Sequence, residues 1–264
     1  GLGDVYKRQE GTENIAWSSE NILATKKALY KGHAVAAIAA TSAHAAEEAL
    51  ALIDVRYEIL PHVSTVEEAI SEGAPLLHNQ YKNNIASHDV LELGDIESGF
   101  SQADLIVERE FRTSTVHQGY IEPHSATGWW TPSNKITVWG SSQGHFQIRD
   151  RTSLVLGVPV SDIKVIPMEI GGGFGGKTTI YLEPVTALLS KITGYPVKIT
   201  MSRSEVLEAT GPTSGSYMHV KFGATKEGKI TSAQADLKFE AGAYPGSPVG
   251  AATRCIGTAD ASEN

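Results

Sequence analysis

Residues 171–176 read G-G-G-F-G-G, between the apolar "VIPMEI" and a lysine followed by two threonines. Such a run removes side chains over a whole loop and costs backbone entropy on folding. A close ligand or close backbone packing is the usual compensation. The segment must therefore be a glycine-rich bend pressed against something.

Two short motifs overlap there. Gly171, Gly176, Lys177 and Thr178 fit the phosphate-loop pattern G-x-x-x-x-G-K-[ST], and Gly171, Gly173 and Gly176 fit the dinucleotide pattern G-x-G-x-x-G. The phosphate reading needs a helix that starts at the Lys-Thr pair. Pro184 would then fall inside that helix, at roughly 3 kcal/mol. It is comfortable only if the helix begins near Leu182 or Glu183. Phe174 is bulky for a phosphate cradle, and "ITSAQAD" downstream is too polar for a magnesium-binding strand. The dinucleotide reading wants an acid about 20 residues on, at the end of the next strand. Glu205, in "KITMSRSE", comes late. A P-loop or dinucleotide-type nucleotide-binding protein using GGGFGGKT stays as the alternative reading.

The rest of the chain predicts an α+β protein. "HAVAAIAA" (33–40) reads as a buried strand, "AHAAEEALALID" as a helix capped by Ser42, and "VRYEIL" (55–60) as an alternating strand. "TVEEAISEG" is a short helix ended by Gly73, and "NQYKNN" is a linker. "DLIVEREFRTSTV" reads as a strand pair, and "ATGWWTP" with "KITVWGSS" as a hairpin turning at Pro132-Ser133-Asn134. "HFQIRDRTSLVLG" is a helix stopped by Gly157, and "DIKVIPMEI" is the strand that feeds the glycine loop. "EPVTALLSKITG", "PVKITMS" and a hairpin turning at Lys226-Glu227-Gly228 follow. Strands and helices do not alternate regularly, which favours α+β over α/β.

Composition excludes several classes. Over 264 residues the formal net charge is −8, which argues against nucleic acid as the main partner. No apolar run approaches the roughly 20 residues that span a bilayer. Cys255 is the one cysteine, so this chain alone cannot hold an internal disulfide, a Cys-rich zinc site or an iron–sulfur cluster. No secretory signal is visible, so a reducing cytoplasm is the default. The first nine residues, "GLGDVYKRQ", look non-native, like translated sequencing-adapter sequence, and a fragment is expected.

Three segments in order, "VHQGYIEPHSATGWW" (116–130), "VWGSSQGHFQIRD" (138–150) and "MEIGGGFGGKTT" (168–179), resemble the molybdenum-binding subunit of the xanthine oxidase family, the molybdenum hydroxylases. That family includes aldehyde oxidoreductases and large subunits of the carbon-monoxide dehydrogenase type. "ILATKKALYKGHAVAAIAATSAHAAEEALALIDVRYEILPHVSTVEEAI" is similar to the family's small leading domain, the a/b hammerhead. The resemblance covers about residues 12–256. It implies an a/b hammerhead-like domain at 12–78, a linker at 79–100 and a larger, truncated molybdopterin-binding domain at 101–256, with an irregular tail at 257–264.

The resemblance also implies roles. Gln143 matches a glutamine whose amide approaches the molybdenum's oxo ligand; a neutral amide can donate there without adding charge. Gly144 follows it. Phe174 and Gly175 match a pair lying against the pterin and metal, and Gly173 and Gly176 let the backbone come close. Thr178 stands where xanthine dehydrogenases carry a glutamate that grips the purine, which argues against xanthine as substrate. The protein supplies no direct metal ligand: His117, His124 and His145, with Glu122, are expected to pack or bond beneath the site. Cys255 beside Arg254 is expected to be a small buried hydrophobe. The implied cofactor is molybdopterin with molybdenum, plain or as the cytosine dinucleotide. The implied reaction hydroxylates aldehydes or N-heterocycles with water as oxygen source. Its general base, a glutamate far toward the C-terminus, lies beyond Asn264, so no turnover is expected from these residues alone. Iron–sulfur and FAD subunits are expected as partners, in a dimer of heterotrimers.

Overall fold

The computed structural model describes residues 15–243 apart from 80, 87 and 89. The leader at 1–9, the Arg254–Cys255 pair and the tail at 257–264 lie outside the described residues. In chain order the helices are α1 (Ile15–Ile22), α2 (Ala43–Ala51), α3 (Val66–Ala69), α4 (Ile96–Ser101), α5 (His145–Leu156), α6 (Glu183–Thr193) and α7 (Arg203–Ala209). The strands are β1 (Leu105–Thr113), β2 (Ser125–Trp130), β3 (Ile136–Gly140), β4 (Ile163–Pro167), β5 (Val197–Thr200), β6 (Ser216–Ala224) and β7 (Ile230–Phe239). The α+β class holds. The chain forms two compact units, one from the residues up to 60 with 117–212, the other from 61–116 with the residues from 213.

The first unit is built on a four-stranded sheet of order β4-β3-β2-β5. β2 runs antiparallel to β3 and β5, while β3 and β4 are parallel. The β2–β3 turn forms at the expected residues: Thr131 N–H donates to Lys135 O at 2.8 Å, and Asn134 takes the left-handed backbone, φ 59°. Alternation along β2 and β3 buries Ala126, Trp130, Ile136 and Val138 on one face. Trp130, Ile136 and Val138 form one core cluster with Ile163 and Ala187 of α6. α6 lies close because Gly128 has no side chain; a Cβ there would stand 2.6 Å from Ala187 N. Gly157 (φ 64°) stops α5 and Gly194 (φ 75°) stops α6, both left-handed caps. Pro184 sits in the first turn of α6, where its missing N–H costs nothing.

The second unit is an antiparallel sheet of order β1-β6-β7, with β6 and β7 turning at Gly228 (φ 86°). "DLIVEREFRTSTV" is corrected here. It carries one nine-residue strand, β1, with no internal pair. Its partner β6 begins more than a hundred residues later, pairing Thr113 with Ser216.

Residues 33–40 and 55–60 are a second correction. Neither joins a ladder among the described residues, and Tyr57 and Ile59 are exposed. Alternation selects a face, but a strand exists only where another backbone takes its N–H and C=O groups. The helix between them forms as expected, with Ser42 Oγ accepting from Ala45 N–H at 3.2 Å.

Helix α7 disposes of the dinucleotide acid. Ser202 and Glu205 form a reciprocal capping box: Ser202 Oγ accepts from Glu205 N–H (3.2 Å), and Glu205 Oε2 accepts from Ser202 N–H (2.7 Å).

Candidate functional site

β4 ends at Pro167 and α6 starts at Glu183, and the glycine loop is the bend between them. Its curvature comes from left-handed backbone at Gly172 (φ 95°), Phe174 (φ 49°) and Gly175 (φ 94°). Gly176 N–H closes onto Gly173 O at 2.8 Å, and Thr178 Oγ1 donates to Gly175 O at 2.9 Å. Thr178 thus spends its hydroxyl on the loop itself. Phe174 stays 75% exposed, an uncommon place for a phenyl ring.

Gln143, at the end of the segment after β3, is drawn to this loop. Its Oε1 accepts from Gly175 N–H (2.9 Å) and Lys177 N–H (3.2 Å), and its own N–H donates to Lys177 O (2.8 Å). Two backbone donors require the amide oxygen, so the amide orientation is set. The NH₂ group has no hydrogen-bond partner among the described residues. Gly173 makes room for this arrangement, since a Cβ there would stand 2.5 Å from Gln143 Oε1. At Gly176 a Cβ would meet the Tyr120 ring at 2.7 Å, whereas at Gly175 nothing lies within 4 Å. Gly144 caps α5, its O accepting from Ile148 N–H at 3.0 Å.

Lys177 contradicts the phosphate loop. Its side chain is fully buried, with Nζ 2.6 Å from Glu122 Oε2 and 5.0 Å from the Tyr120 ring centroid. It points at a carboxylate, not at open space. The same Glu122 oxygen accepts from Gly171 N–H at 2.6 Å. Burial alone would raise the Glu122 carboxyl, but the Lys177 ammonium and the Gly171 N–H outweigh it and hold it below the usual range. Arg203 fixes the chain before Glu122 by donating to the carbonyls of Tyr120 (2.9 Å) and Ile121.

Beneath the loop lies a polar network in a closed core. His117 Nδ1 accepts from Gly119 N–H, so its Nε2 carries the proton and donates to Thr210 Oγ1 at 2.8 Å. Thr210 Oγ1 in turn donates to Val206 O (2.6 Å). Tyr120 OH sits 2.7 Å from His124 Nε2, and His124 packs edge-on against Tyr120 and Tyr181. His117 and His124 therefore hydrogen-bond beneath the loop, while His145 opens α5 against Phe146. Among the described residues no cluster of His, Cys, Asp or Glu could hold a metal ion.

Burial, then the nearby Lys177 charge, pushes the His124 imidazole down to about 4. In the unfolded chain it titrates near 6.5. Between those values the unfolded chain takes up the proton first, so stability is complete above about pH 6.5 and falls toward pH 4. Between pH 7 and pH 4.5 the expected loss is about 2 kcal/mol from this group. His33 and His117, lowered chiefly by burial, act in the same direction. Urea titrations at the two pH values should show a markedly shallower loss in His124→Gln. An equal loss in both proteins would remove His124 from the account.

Tyr120, Lys177, Thr210, Tyr181 and Arg203 carry no local sequence signal for their roles. Each acts on a partner distant in sequence, as Lys177 does on Glu122.

Residues 77–262 match the model of the molybdopterin cofactor-binding domain, and residues 2–61 match that of the aldehyde oxidase and xanthine dehydrogenase a/b hammerhead domain. The chain is 32% identical over 230 residues to the nicotinate dehydrogenase large molybdopterin subunit of Eubacterium barkeri, covering 87% of this chain and 54% of that protein. It is 30% identical over 267 residues to the carbon monoxide dehydrogenase large chain of Afipia carboxidovorans, covering 93% and 33%. Among solved structures, the aldehyde oxidoreductase of Desulfovibrio gigas superposes with a TM-score of 0.70 at 25% identity, covering 76% of this chain and 22% of that one. The chain thus spans about half the length, or less, of the relatives it matches.

Proposed function

The chain belongs to the molybdopterin cofactor-binding family, and from that premise we propose that the glycine loop holds a molybdopterin with its molybdenum, within an oxidoreductase that hydroxylates aldehydes or N-heterocycles with water as oxygen source. The observation that carries this is the state of Gln143. Its oxygen is committed to the loop and its NH₂ is left over, a neutral donor fixed beside a side-chain-free cradle. The cradle suits a large polar group. The N–H groups of Gly172, Gly173 and Phe174 have no hydrogen-bond partner among the described residues. Gln118 Oε1, buried against Gly176, also lacks one.

When bound, the group supplies a two-electron redox centre. The chain's own part is to hold and orient it. Gly175 leaves open space for it, Gly173 and Gly176 let the loop backbone close onto Gln143 and Tyr120, Phe174 offers an exposed ring for it to lie on, and the Gln143 NH₂ donates to it. We assign the general base to no residue described above; the resemblance assigns it to a glutamate nearer the C-terminus. Iron–sulfur and FAD subunits are the proposed electron outlet, as the family resemblance implies. A cytosine-dinucleotide form of the pterin, a dimer of heterotrimers and a cytoplasmic setting complete the proposal. Thr178, where a purine-gripping glutamate would stand, favours aldehydes or heterocycles other than xanthine.

Gln143→Glu tests this reading. It keeps an oxygen for Gly175 and Lys177 to donate to and removes the NH₂. In the full-length protein, molybdenum per protomer should change by less than about twofold. Turnover should fall roughly tenfold to a hundredfold, the worth of one hydrogen bond to a charged centre. Undiminished turnover would take Gln143 away from the reacting centre.

A further inference from the structure

Both ends of the glycine loop are tied to one carboxylate oxygen. Glu122 Oε2 takes the N–H of Gly171 and the ammonium of Lys177, each at 2.6 Å. Lys177 is in turn doubly bonded through its backbone to Gln143. Its ammonium is fully buried, while Glu122 is 30% exposed on a segment whose carbonyls Arg203 holds. The pair joins residues 55 apart in sequence and crosses the mouth of the loop.

We infer that the Glu122–Lys177 pair is a positioning clip, which sets the loop's open shape before any cofactor arrives. The inference rests on the cofactor reading above. The clip fixes the separation of Gly171 from Lys177, and so leaves the intervening N–H groups of Gly172, Gly173 and Phe174 unspent. It also holds Lys177 N–H where Gln143 Oε1 can accept from it, which orients the Gln143 NH₂. Neither member of the clip needs to touch the cofactor.

A buried ion pair can be a plain stabiliser or a positioning device, and the two roles separate on neutral replacement. Exchanging both partners for uncharged groups of similar size is often neutral for stability, whereas removing one strands a buried charge. The test is therefore the double variant Glu122→Gln/Lys177→Met, with Lys177→Met and Lys177→Arg as companions. Amide hydrogen exchange at Gly171, Gly175, Gly176 and Lys177, the loop residues whose N–H groups are bonded, is read on the full chain prepared without molybdenum, and molybdenum per protomer on the loaded protein. The double variant should melt within a few degrees of wild type, yet exchange these amides at least about tenfold faster and hold several-fold less molybdenum. Lys177→Arg, which keeps the charge, should exchange within about threefold of wild type. A folded double variant with wild-type exchange would overturn the clip. If the double variant fails to fold, Lys177→Arg exchanging as fast as Lys177→Met would do the same. Exchange is measured without metal, so a wild-type protein lacking molybdenum would end the cofactor reading and leave this result standing on its own.

Discussion

Valine at position 175 is expected to lower the molybdenum content of the full-length protein roughly tenfold while leaving its fold intact. Gly175 holds φ 94°, a region that a β-branched residue enters only with strain, and such strain is worth about 1–3 kcal/mol. That strain is present with the site empty or filled, so it lowers stability modestly and not affinity. The new side chain also fills space that is open, since nothing lies within 4 Å of a Cβ built there. It therefore displaces no protein atom, and the penalty falls on whatever occupies the cradle. Metal analysis beside a melting curve reads both halves. Full molybdenum in a folded Gly175→Val protein would mean that the cradle lies elsewhere.

Gly128→Val should destabilise the first unit by about 3 kcal/mol or more, the upper range for overpacking. A Cβ at this position stands 2.6 Å from Ala187 N and 2.7 Å from Thr186 C, and both are backbone atoms of α6. A flexible side chain could turn aside, but a helix backbone must move as a body. α6 resists that, because Ser190 Oγ accepts from Trp130 N–H at 3.0 Å and Ala187 is wholly buried in the core. Urea denaturation measures the loss. A change below about 1 kcal/mol would mean that α6 does not depend on this close approach to β2.

What the sequence revealed was mostly local. Pro132-Ser133-Asn134, Gly157, Pro184, Gly194 and Lys226-Glu227-Gly228 are punctuation whose backbone demands can be read in place, and the structure meets each one. Pairing between distant segments leaves no such mark. Nothing in "LIVEREFRT" names β6 as its partner, and nothing in "VRYEIL" announces that it finds none among the described residues. The Ser202–Glu205 capping box is the exception, a local signal written in the sequence as S-x-x-E.

The site divides the same way. The glycine loop and Gln143 were marked by composition and by resemblance. That Glu122 and Lys177 meet, that Tyr120 and His117 converge on Thr210, and that Thr178 closes onto Gly175 depend on the three-dimensional fold. The Walker-like lysine shows the hazard most clearly. Its spacing matches a phosphate loop, but its ammonium is buried against a carboxylate.

The most direct measurement is the molybdenum and pterin content of the full-length protein, taken together with its ATP affinity. The account predicts close to one molybdenum and one pterin per protomer and no ATP binding. Protein that carries neither molybdenum nor pterin and binds ATP at the glycine loop would contradict it.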